Sequence, residues 1–178
     1  MSNSQVVLLG LPGAGKTTAG QALADRLGWT FLDFDEQIEA ETGLSVAEIF
    51  AKFGEPYFRR LEADLTKRLA SRHQVVFAPG GGWITNPELP AWLDRDAILI
   101  WLRVRPETAL VRLRATGVTR PLLQVQQPLD RLHALLAERQ ALYDRAHVAF
   151  DTDELTPHQV AETIYEWLKK QNRSDWSS

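Results

Sequence analysis

The chain contains no cysteine among its 178 residues, which excludes disulfide bonds, thiolate zinc sites and cysteine nucleophiles. It also lacks an apolar run long enough to span a bilayer, and its first residues lack the basic start and apolar core of a secretion signal. Net positive charge is absent as well, because the formal net charge is −3, which argues against a general nucleic-acid binder. We therefore expect a cytoplasmic protein with neither a membrane nor a nucleic-acid partner.

The size of the chain suits one domain, predicted over residues 1–171, followed by a polar tail over residues 172–178. A hydrophobic content of 44% and a charged content of 24% are ordinary for a globular protein with a full core. Arginines outnumber lysines, fifteen to five. Arginine is favoured where carboxylate or phosphate groups are bound by two N–H donors, although GC-rich coding produces the same bias.

The strongest motif lies at residues 10–17, which read G-L-P-G-A-G-K-T and match the phosphate-binding pattern G-x-x-x-x-G-K-[ST]. An apolar run precedes this phosphate loop and an amphipathic stretch follows it, which is the strand–loop–helix context that the motif requires. A glycine-rich turn that binds nothing is therefore a poor alternative. Lys16 is expected to reach the outer phosphates of a nucleotide, and Thr17 to ligate Mg²⁺. The residues expected to bind the nucleotide here are Gly13, Ala14, Gly15, Lys16, Thr17 and Thr18.

Short apolar runs alternate with longer helical patterns along the whole chain. Strands are predicted at residues 6–10, 30–33, 75–79, 98–102 and 148–151. Helices are predicted at residues 16–27, 46–53, 56–71, 87–93, 106–115, 129–145 and 157–171. This alternation predicts a three-layer α/β/α fold around a five-stranded parallel sheet, with strands that are apolar because helices cover both faces.

An acidic pair, Asp33 and Asp35, follows the second predicted strand, where ligands bind in open parallel sheets. Strand alternation would put both carboxylates on one side and bury Phe34. One carboxylate could then support Mg²⁺ through water while the other accepts a proton from an attacking hydroxyl. Helix capping by Asp35 is an equally good interpretation of this pair alone.

Two further segments contain candidate binding groups. In the segment G-E-P-Y-F-R-R-L-E at residues 54–62, Arg59 and Glu62 share one helix face, although a solvated ion pair is the usual meaning of that spacing. The triple-glycine loop, Gly80, Gly81 and Gly82, follows the third predicted strand. It exposes backbone N–H groups and permits close ligand approach, whereas the alternative is a flexible turn.

Residues 116–128 have the composition of a mobile lid, with two prolines, a glycine and three glutamines. Arg120 in this lid would supply positive charge over the phosphates, as an arginine finger does. Arg139 lies on the helix that returns from the lid and, taken alone, would be a routine surface residue.

Taken in this order, the motifs resemble those of shikimate kinases, in the nucleoside-monophosphate-kinase branch of phosphate-loop folds. The resemblance spans residues 6–168 and rests on the phosphate loop, D-x-D at 33–35, G-E-x-x-F-R-x-x-E at 54–62, G-G-G at 80–82, R-P-L-L at 120–123 and R-x-x-L-Y at 139–143. It implies a kinase that transfers the γ-phosphoryl group of ATP to the 3-hydroxyl of shikimate, in the pathway to aromatic amino acids. It also implies a monomer whose only partners are its small-molecule substrates.

The resemblance also implies a role for each matching residue. Asp35 would orient the reacting hydroxyl, and Arg59 and Arg139 would bind the substrate carboxylate, with the triple-glycine loop contacting the substrate. Asp33 would support Mg²⁺ beside Thr17. The groups implied to act on the phosphates during transfer are Lys16 and Arg120, and those implied near adenine are Arg114 and the loop at 152–157.

Three positions depart from the usual family pattern: Pro79 replaces a threonine, Trp83 replaces a small residue, and Ala141 replaces a proline. We expect Trp83 to pack rather than to shape the substrate pocket. The other tryptophans at 29, 92, 101 and 167 are expected in the core, and the four histidines show no metal-ligand spacing.

Two alternatives remain open from the residues. A related kinase could act on gluconate, another carboxylated polyol, or on a nucleoside monophosphate, although paired arginines fit a base poorly. A non-catalytic domain that senses shikimate is normally fused to a DNA-binding module. Because the first predicted strand begins at residue 6, we expect no such module before it, and Lys16, Asp35 and Arg120 favour chemistry.

Overall fold

The computed structural model describes residues 5–93, 97–117 and 124–174, with side chains to residue 171. Its strands are β1 (Gln5–Leu9), β2 (Thr30–Asp33), β3 (Val75–Ala78), β4 (Ile98–Arg103) and β5 (Val148–Asp151). Its helices are α1 (Lys16–Leu27), α2 (Phe34–Thr42), α3 (Val46–Phe53), α4 (Glu55–Leu69), α5 (Glu88–Trp92), α6 (Pro106–Thr116), α7 (Pro128–Tyr143) and α8 (Pro157–Ser174). A short 3₁₀ turn, Trp83–Thr85, follows β3.

The strands form one parallel sheet in the order β2-β3-β1-β4-β5, which confirms the predicted five-stranded α/β fold. In the centre, Val6 of β1 lies opposite Val76 of β3 and Ile98 of β4. All of β1 is buried, as expected for a strand covered by helices on both faces. The strand order reverses beside β1, and ligands bind at the carboxyl ends of parallel strands where this occurs. The phosphate loop therefore leaves β1 at the expected binding edge.

Local capping explains why several helices begin where the sequence predicts. Ser45 and Glu48 form a reciprocal capping box at the start of α3, since each side chain bonds the backbone N–H of the other residue. Thr156 and Gln159 make the same exchange before α8. These caps satisfy N–H groups that a helix end otherwise leaves without partners.

The junction between β2 and α2 differs from the sequence-based prediction. Strand alternation does not continue through Phe34 and Asp35, because α2 begins at Phe34. Asp33 is the N-cap, and its Oδ1 accepts from the N–H groups of Asp35 at 2.9 Å and Glu36 at 3.2 Å. The interpretation of Asp35 as the cap is therefore wrong, because the cap lies two residues earlier, at Asp33. Phe34 is nevertheless buried as predicted, on the inner face of the helix.

Helix α8 packs along α1, the helix that follows the phosphate loop. Arg26 of α1 pairs with Glu162 of α8 at 3.0 Å, and its guanidinium lies 3.7 Å from the centre of the Tyr165 ring. The helix continues to Ser174, beyond the end predicted at residue 171. None of the helices in the described ranges is long and apolar enough to cross a lipid bilayer.

The connection between α6 and α7 coincides with the segment predicted to be a lid. Helix α6 ends at Thr116 and α7 begins at Pro128, so the segment predicted at 116–128 spans the connection. Residues 118–123, which include Arg120, lie outside the described residues. The lid and its arginine therefore stay predictions.

Candidate active site

The phosphate loop has the tight backbone that its glycines permit. Gly13 has a φ of 85°, and a Cβ there would lie 2.5 Å from the carbonyl oxygen of Ala109 on α6. Gly15, with a φ of 87°, is the N-cap of α1 and supplies no side-chain acceptor to the first turn. The amides that open α1 therefore depend on another acceptor, and helix N-termini of this kind bind phosphate through N–H groups and the helix dipole.

Lys16 is folded back onto the loop that precedes it. Its Nζ donates to the carbonyl oxygens of Gly10 at 2.8 Å and Leu11 at 3.0 Å. The ammonium group is thus held at the centre of the loop, where a bound nucleotide would present its phosphates. The same contacts help to hold the loop closed around that position.

Thr17 and Asp33 meet across the base of the phosphate loop. Thr17 Oγ1 donates to Asp33 Oδ2 at 2.5 Å, while Asp33 Oδ1 caps α2. A hydroxyl and a carboxylate therefore converge at the start of α1. Hard oxygen ligands in small number suit Mg²⁺ in phosphate sites, where the metal keeps several waters. The predicted pair of residues thus fits a magnesium-supporting site.

A cavity of about 950 Å³ joins the phosphate loop to the ends of the neighbouring strands. Its lining contains the six phosphate-loop residues predicted to bind the nucleotide and half of the six residues predicted to bind the acceptor. These lining residues include Gly13, Ala14, Gly15, Lys16, Thr17, Thr18, Asp33, Asp35, Gly80 and Gly81. The volume is within the usual range for sites that bind small ligands.

The other predicted acceptor residues contact the triple-glycine loop rather than line the cavity. A Cβ on Gly82 would collide with the Arg59 guanidinium, and one on Gly81 would lie 3.2 Å from Arg139 Nη1. A Cβ on Gly80 would lie 2.9 Å from Glu62 Oε1. Each glycine therefore admits one charged side chain against the backbone. We call Arg59, Glu62, Arg139 and the triple-glycine loop the acceptor clamp.

Glu62 is the residue of the acceptor clamp whose importance the sequence did not reveal. Its side chain is fully buried and its Oε2 accepts from Arg59 Nη1 at 2.5 Å. Burial raises the pKa of Glu62 from its ordinary value of 4.5 to about 7, against the opposing effect of Arg59 and with support from the charge of Asp35. The solvated ion pair that the spacing alone would suggest is therefore not what forms.

Two buried polar atoms of the acceptor clamp have no hydrogen-bond partner within the described part of the chain. They are Glu62 Oε1 and Arg139 Nη1, and Arg139 is only 5% exposed. Buried polar groups are normally satisfied by protein, water or a ligand, so this N–H of the buried guanidinium suits a ligand that accepts from it. A carboxylate is the natural partner for such a group.

Tyr143 and Trp83 border the triple-glycine loop. The Tyr143 hydroxyl donates to the carbonyl oxygen of Gly81 at 3.0 Å, and the ring stacks on Trp101 at 5.4 Å between centroids. Burial raises the pKa of Tyr143, so its hydroxyl keeps its proton. Trp83 is 1% exposed, which confirms the expectation that it packs rather than lines the cavity.

On the side of the cavity beyond α6, the structure draws attention to Arg112. Its guanidinium donates to the Thr152 hydroxyl at 3.3 Å and to the Thr152 carbonyl at 2.5 Å, and its Nη1 lies 4.0 Å from the Cβ position of Gly15. Arg112 lines the cavity together with Thr152, Leu155 and Pro157. Arg114, which the resemblance implied near adenine, is exposed and is not among the lining residues. Its role stays a prediction.

Comparison with known proteins gives consistent matches over most of the chain. The shikimate kinase family model matches residues 12–169. A shikimate kinase of Thermodesulfovibrio yellowstonii is 42% identical over 159 residues, which is 89% of this chain and 91% of that protein. The structure of shikimate kinase from Acinetobacter baumannii in complex with shikimate superposes with a TM-score of 0.88 at 38% identity, covering 94% of this chain and 93% of that one. A gluconokinase from Sinorhizobium meliloti, at a TM-score of 0.64 and 19% identity, shares the fold alone, with coverage of 99% and 98%.

Proposed function

This chain belongs to the shikimate kinase family, and we propose that it transfers the γ-phosphoryl group of ATP to the 3-hydroxyl of shikimate, giving 3-phosphoshikimate and ADP. One observation carries the proposal for the acceptor: two arginines converge on the triple-glycine loop, and one of them keeps a buried N–H that has no partner among the described residues. A ligand with a carboxylate and ring hydroxyls complements this arrangement. The cavity that adjoins it begins at the phosphate loop, so donor and acceptor share one space.

The residues of the phosphate loop bind and orient ATP. The N–H groups at the start of α1 donate to the phosphate oxygens, and Lys16 exchanges its contacts with the Gly10 and Leu11 carbonyls for the outer phosphates. Thr17 and Asp33 would hold Mg²⁺, directly through the hydroxyl and through water at the carboxylate. When bound, this ion neutralises charge on the β- and γ-phosphate oxygens.

The acceptor clamp orients shikimate for attack. Arg59 and Arg139 receive the carboxylate through paired N–H donors, while Asp35, which lines the cavity, accepts a hydrogen bond from the reacting hydroxyl. Phosphoryl transfer needs little covalent participation from the protein, so these contacts act by positioning and by charge. Arg120, outside the described residues, is proposed to add positive charge over the γ-phosphate from the lid.

We also propose that the enzyme is a monomer that works in the cytoplasm, where ATP is available. The clamp and the phosphate loop are built from residues of one chain, so the proposed site needs no side chain from a second subunit. Light scattering on the purified protein, with and without ATP and shikimate, measures the molar mass. A dimeric mass would contradict this part of the proposal.

The experiment that tests the function measures ADP release from Mg-ATP with shikimate, gluconate, AMP or no acceptor. We expect stimulation by shikimate alone, with 3-phosphoshikimate identified by mass spectrometry. Stimulation by gluconate or AMP instead would preserve the phosphate site and overturn the acceptor assignment. Binding of shikimate without ADP release would favour the sensing domain over the enzyme.

A further inference from the structure

Trp83 is joined to the helix that carries Arg59 by two hydrogen bonds in series. Its indole Nε1 donates to Thr66 Oγ1 at 2.9 Å, and that hydroxyl donates to the backbone carbonyl of Glu62 at 2.7 Å. Thr66 is fully buried and Trp83 nearly so, and neither distance is long. The residue directly after the triple-glycine loop is therefore attached to the turn of α4 that carries Arg59 and Glu62.

A second attachment lies on the opposite side of the same loop. Tyr143, one turn beyond Arg139 on α7, donates its hydroxyl hydrogen to the Gly81 carbonyl at 3.0 Å. The triple-glycine loop is thus bonded to both helices that supply an arginine to the acceptor clamp. Because Arg59 rests against Gly82 and Arg139 against Gly81, the position of the loop determines the spacing of the two guanidinium groups.

This spacing matters for binding a carboxylate through two guanidinium groups. Binding constellations act well only when their groups are held within about 0.5 Å of the productive geometry. If Trp83 served only to fill the core, its size would matter but its indole N–H would not. The hydrogen bond to Thr66 is therefore the feature that separates a positioning role from simple core packing.

We propose that Trp83, acting through Thr66, is a positioning residue for the acceptor site, holding the triple-glycine loop and α4 in the register that lets Arg59 and Arg139 bind one carboxylate together. The inference rests on the proposed function, since shikimate is the acceptor used to test it. Neither residue is among those that line the cavity in the described part of the chain, so their effect reaches the acceptor through the clamp.

Steady-state kinetics on Trp83→Phe, Thr66→Val and the double variant test the proposal. Loss of one hydrogen bond in the series is expected to raise the KM for shikimate about three- to tenfold, with the KM for ATP changed less than about twofold. The double variant should resemble either single variant, because both remove the same connection. Thr66→Ser, which keeps the hydroxyl, should restore a KM near that of the wild type.

Trp167→Phe is the matched control, since Trp167 packs against Phe150 on the far strand of the sheet. It should lower the melting temperature without moving the KM for shikimate. Should Trp83→Phe and Thr66→Val lower only the melting temperature and leave that KM unchanged, Trp83 would be core packing and the inference is wrong. If Trp83→Phe does not fold, Thr66→Val and Thr66→Ser decide the matter by the same two KM values. A wild type that neither binds nor phosphorylates shikimate would instead overturn the proposed function.

Discussion

Arg59 and Glu62 form an ion pair 2.5 Å long in which the carboxylate is fully buried while the guanidinium stays 21% exposed. The two residues stand one helical turn apart on α4, and a second carboxylate, Glu55, contacts the same guanidinium at 2.9 Å. The cation is therefore held by two carboxylates, and its guanidinium lies against Gly82. Such an arrangement holds Arg59 ready for an anion before any substrate arrives.

Replacing Glu62 by Gln should make stability less dependent on pH. The pKa of Glu62 is raised to about 7 in the folded state, above its ordinary value of 4.5. The stability that protonated Glu62 contributes is therefore fully present below about pH 4.5 and is lost as the pH rises through about 7. The free energy of unfolding of Glu62→Gln, relative to that of the wild type, should therefore rise by about 2 kcal/mol from roughly pH 5 to pH 7.5. Urea unfolding of both proteins at these pH values measures the difference, in which shared carboxylates cancel. Glu55→Gln, which changes the exposed partner of the same arginine, is the control. An equal pH-dependent change in its unfolding free energy would show that burial of Glu62 is not the cause.

The Gly82→Ala substitution should impair acceptor binding without straining the backbone. The φ of Gly82 is −89°, which alanine adopts freely, but the added Cβ would collide with the Arg59 guanidinium. Displacing one charge-assisted donor should weaken shikimate binding roughly 10- to 100-fold and leave ATP binding intact. Calorimetric titration with each ligand measures both. Gly43→Ala is the control, because Gly43 lies at a helix end with open space around it, and it should lower stability alone. An equal loss of shikimate affinity in that variant would contradict the role given to the contact between Gly82 and Arg59.

Arg59 itself has a natural control in the next residue. Arg59→Ala should raise the KM for shikimate roughly 10- to 100-fold, because it removes a paired contact to the carboxylate, with little change in the KM for ATP. Arg60→Ala removes an exposed arginine that lies 5.4 Å from the Tyr57 ring, and should change neither constant. Similar losses in both substrates would indicate that Arg59 is needed for folding instead.

Lys16→Ala should abolish turnover while the fold persists. The variant loses the positive charge at the outer phosphates, which should lower kcat by roughly 100-fold or more. Circular dichroism checks the fold and the ADP-release assay checks turnover. Lys52→Ala, at an exposed position of α3, should retain the wild-type rate. A near-normal kcat in Lys16→Ala would refute the assignment of the phosphate loop.

Arg112 and Arg114 allow a paired test of the nucleotide side of the cavity. Arg112→Ala removes the contacts to Thr152 and should raise the KM for ATP about tenfold, with the KM for shikimate unchanged. Arg114→Ala, at an exposed position, should have a smaller effect. The reverse order of effects would favour the position implied by the family resemblance.

Sequence patterns determined much of the fold because local signals agreed with one another. Helices α1 and α3 begin and end as predicted, since a phosphate loop defines the first start and a capping box the second. The β2–α2 junction differs from the prediction because one residue, Asp33, both ends the strand and caps the helix. The alternation of apolar and polar residues is the same for this junction as for a strand that continues to Asp35.

The acceptor clamp was only partly predictable for a different reason. Arginines 59 and 139 and the glycines could be identified, but the burial of Glu62 depends on the loop after β3, which is distant in sequence. A carboxylate three residues from an arginine on a helix looks the same whether water or Gly80 lies beyond it. Likewise, the choice between Arg112 and Arg114 depends on the rotation of α6, which alternating arginines do not determine.

The packing of α8 on α1 has a consequence for the order in which the working enzyme is made. The phosphate loop leaves the ribosome early, but its helix is covered by α8, and the cavity is completed by residues 152–160. At about 5–20 residues per second, the nascent loop waits roughly 10 s for these partners. ATP can therefore stabilise the chain only when it is nearly complete, so its binding favours chains that have already folded and does not assist early folding.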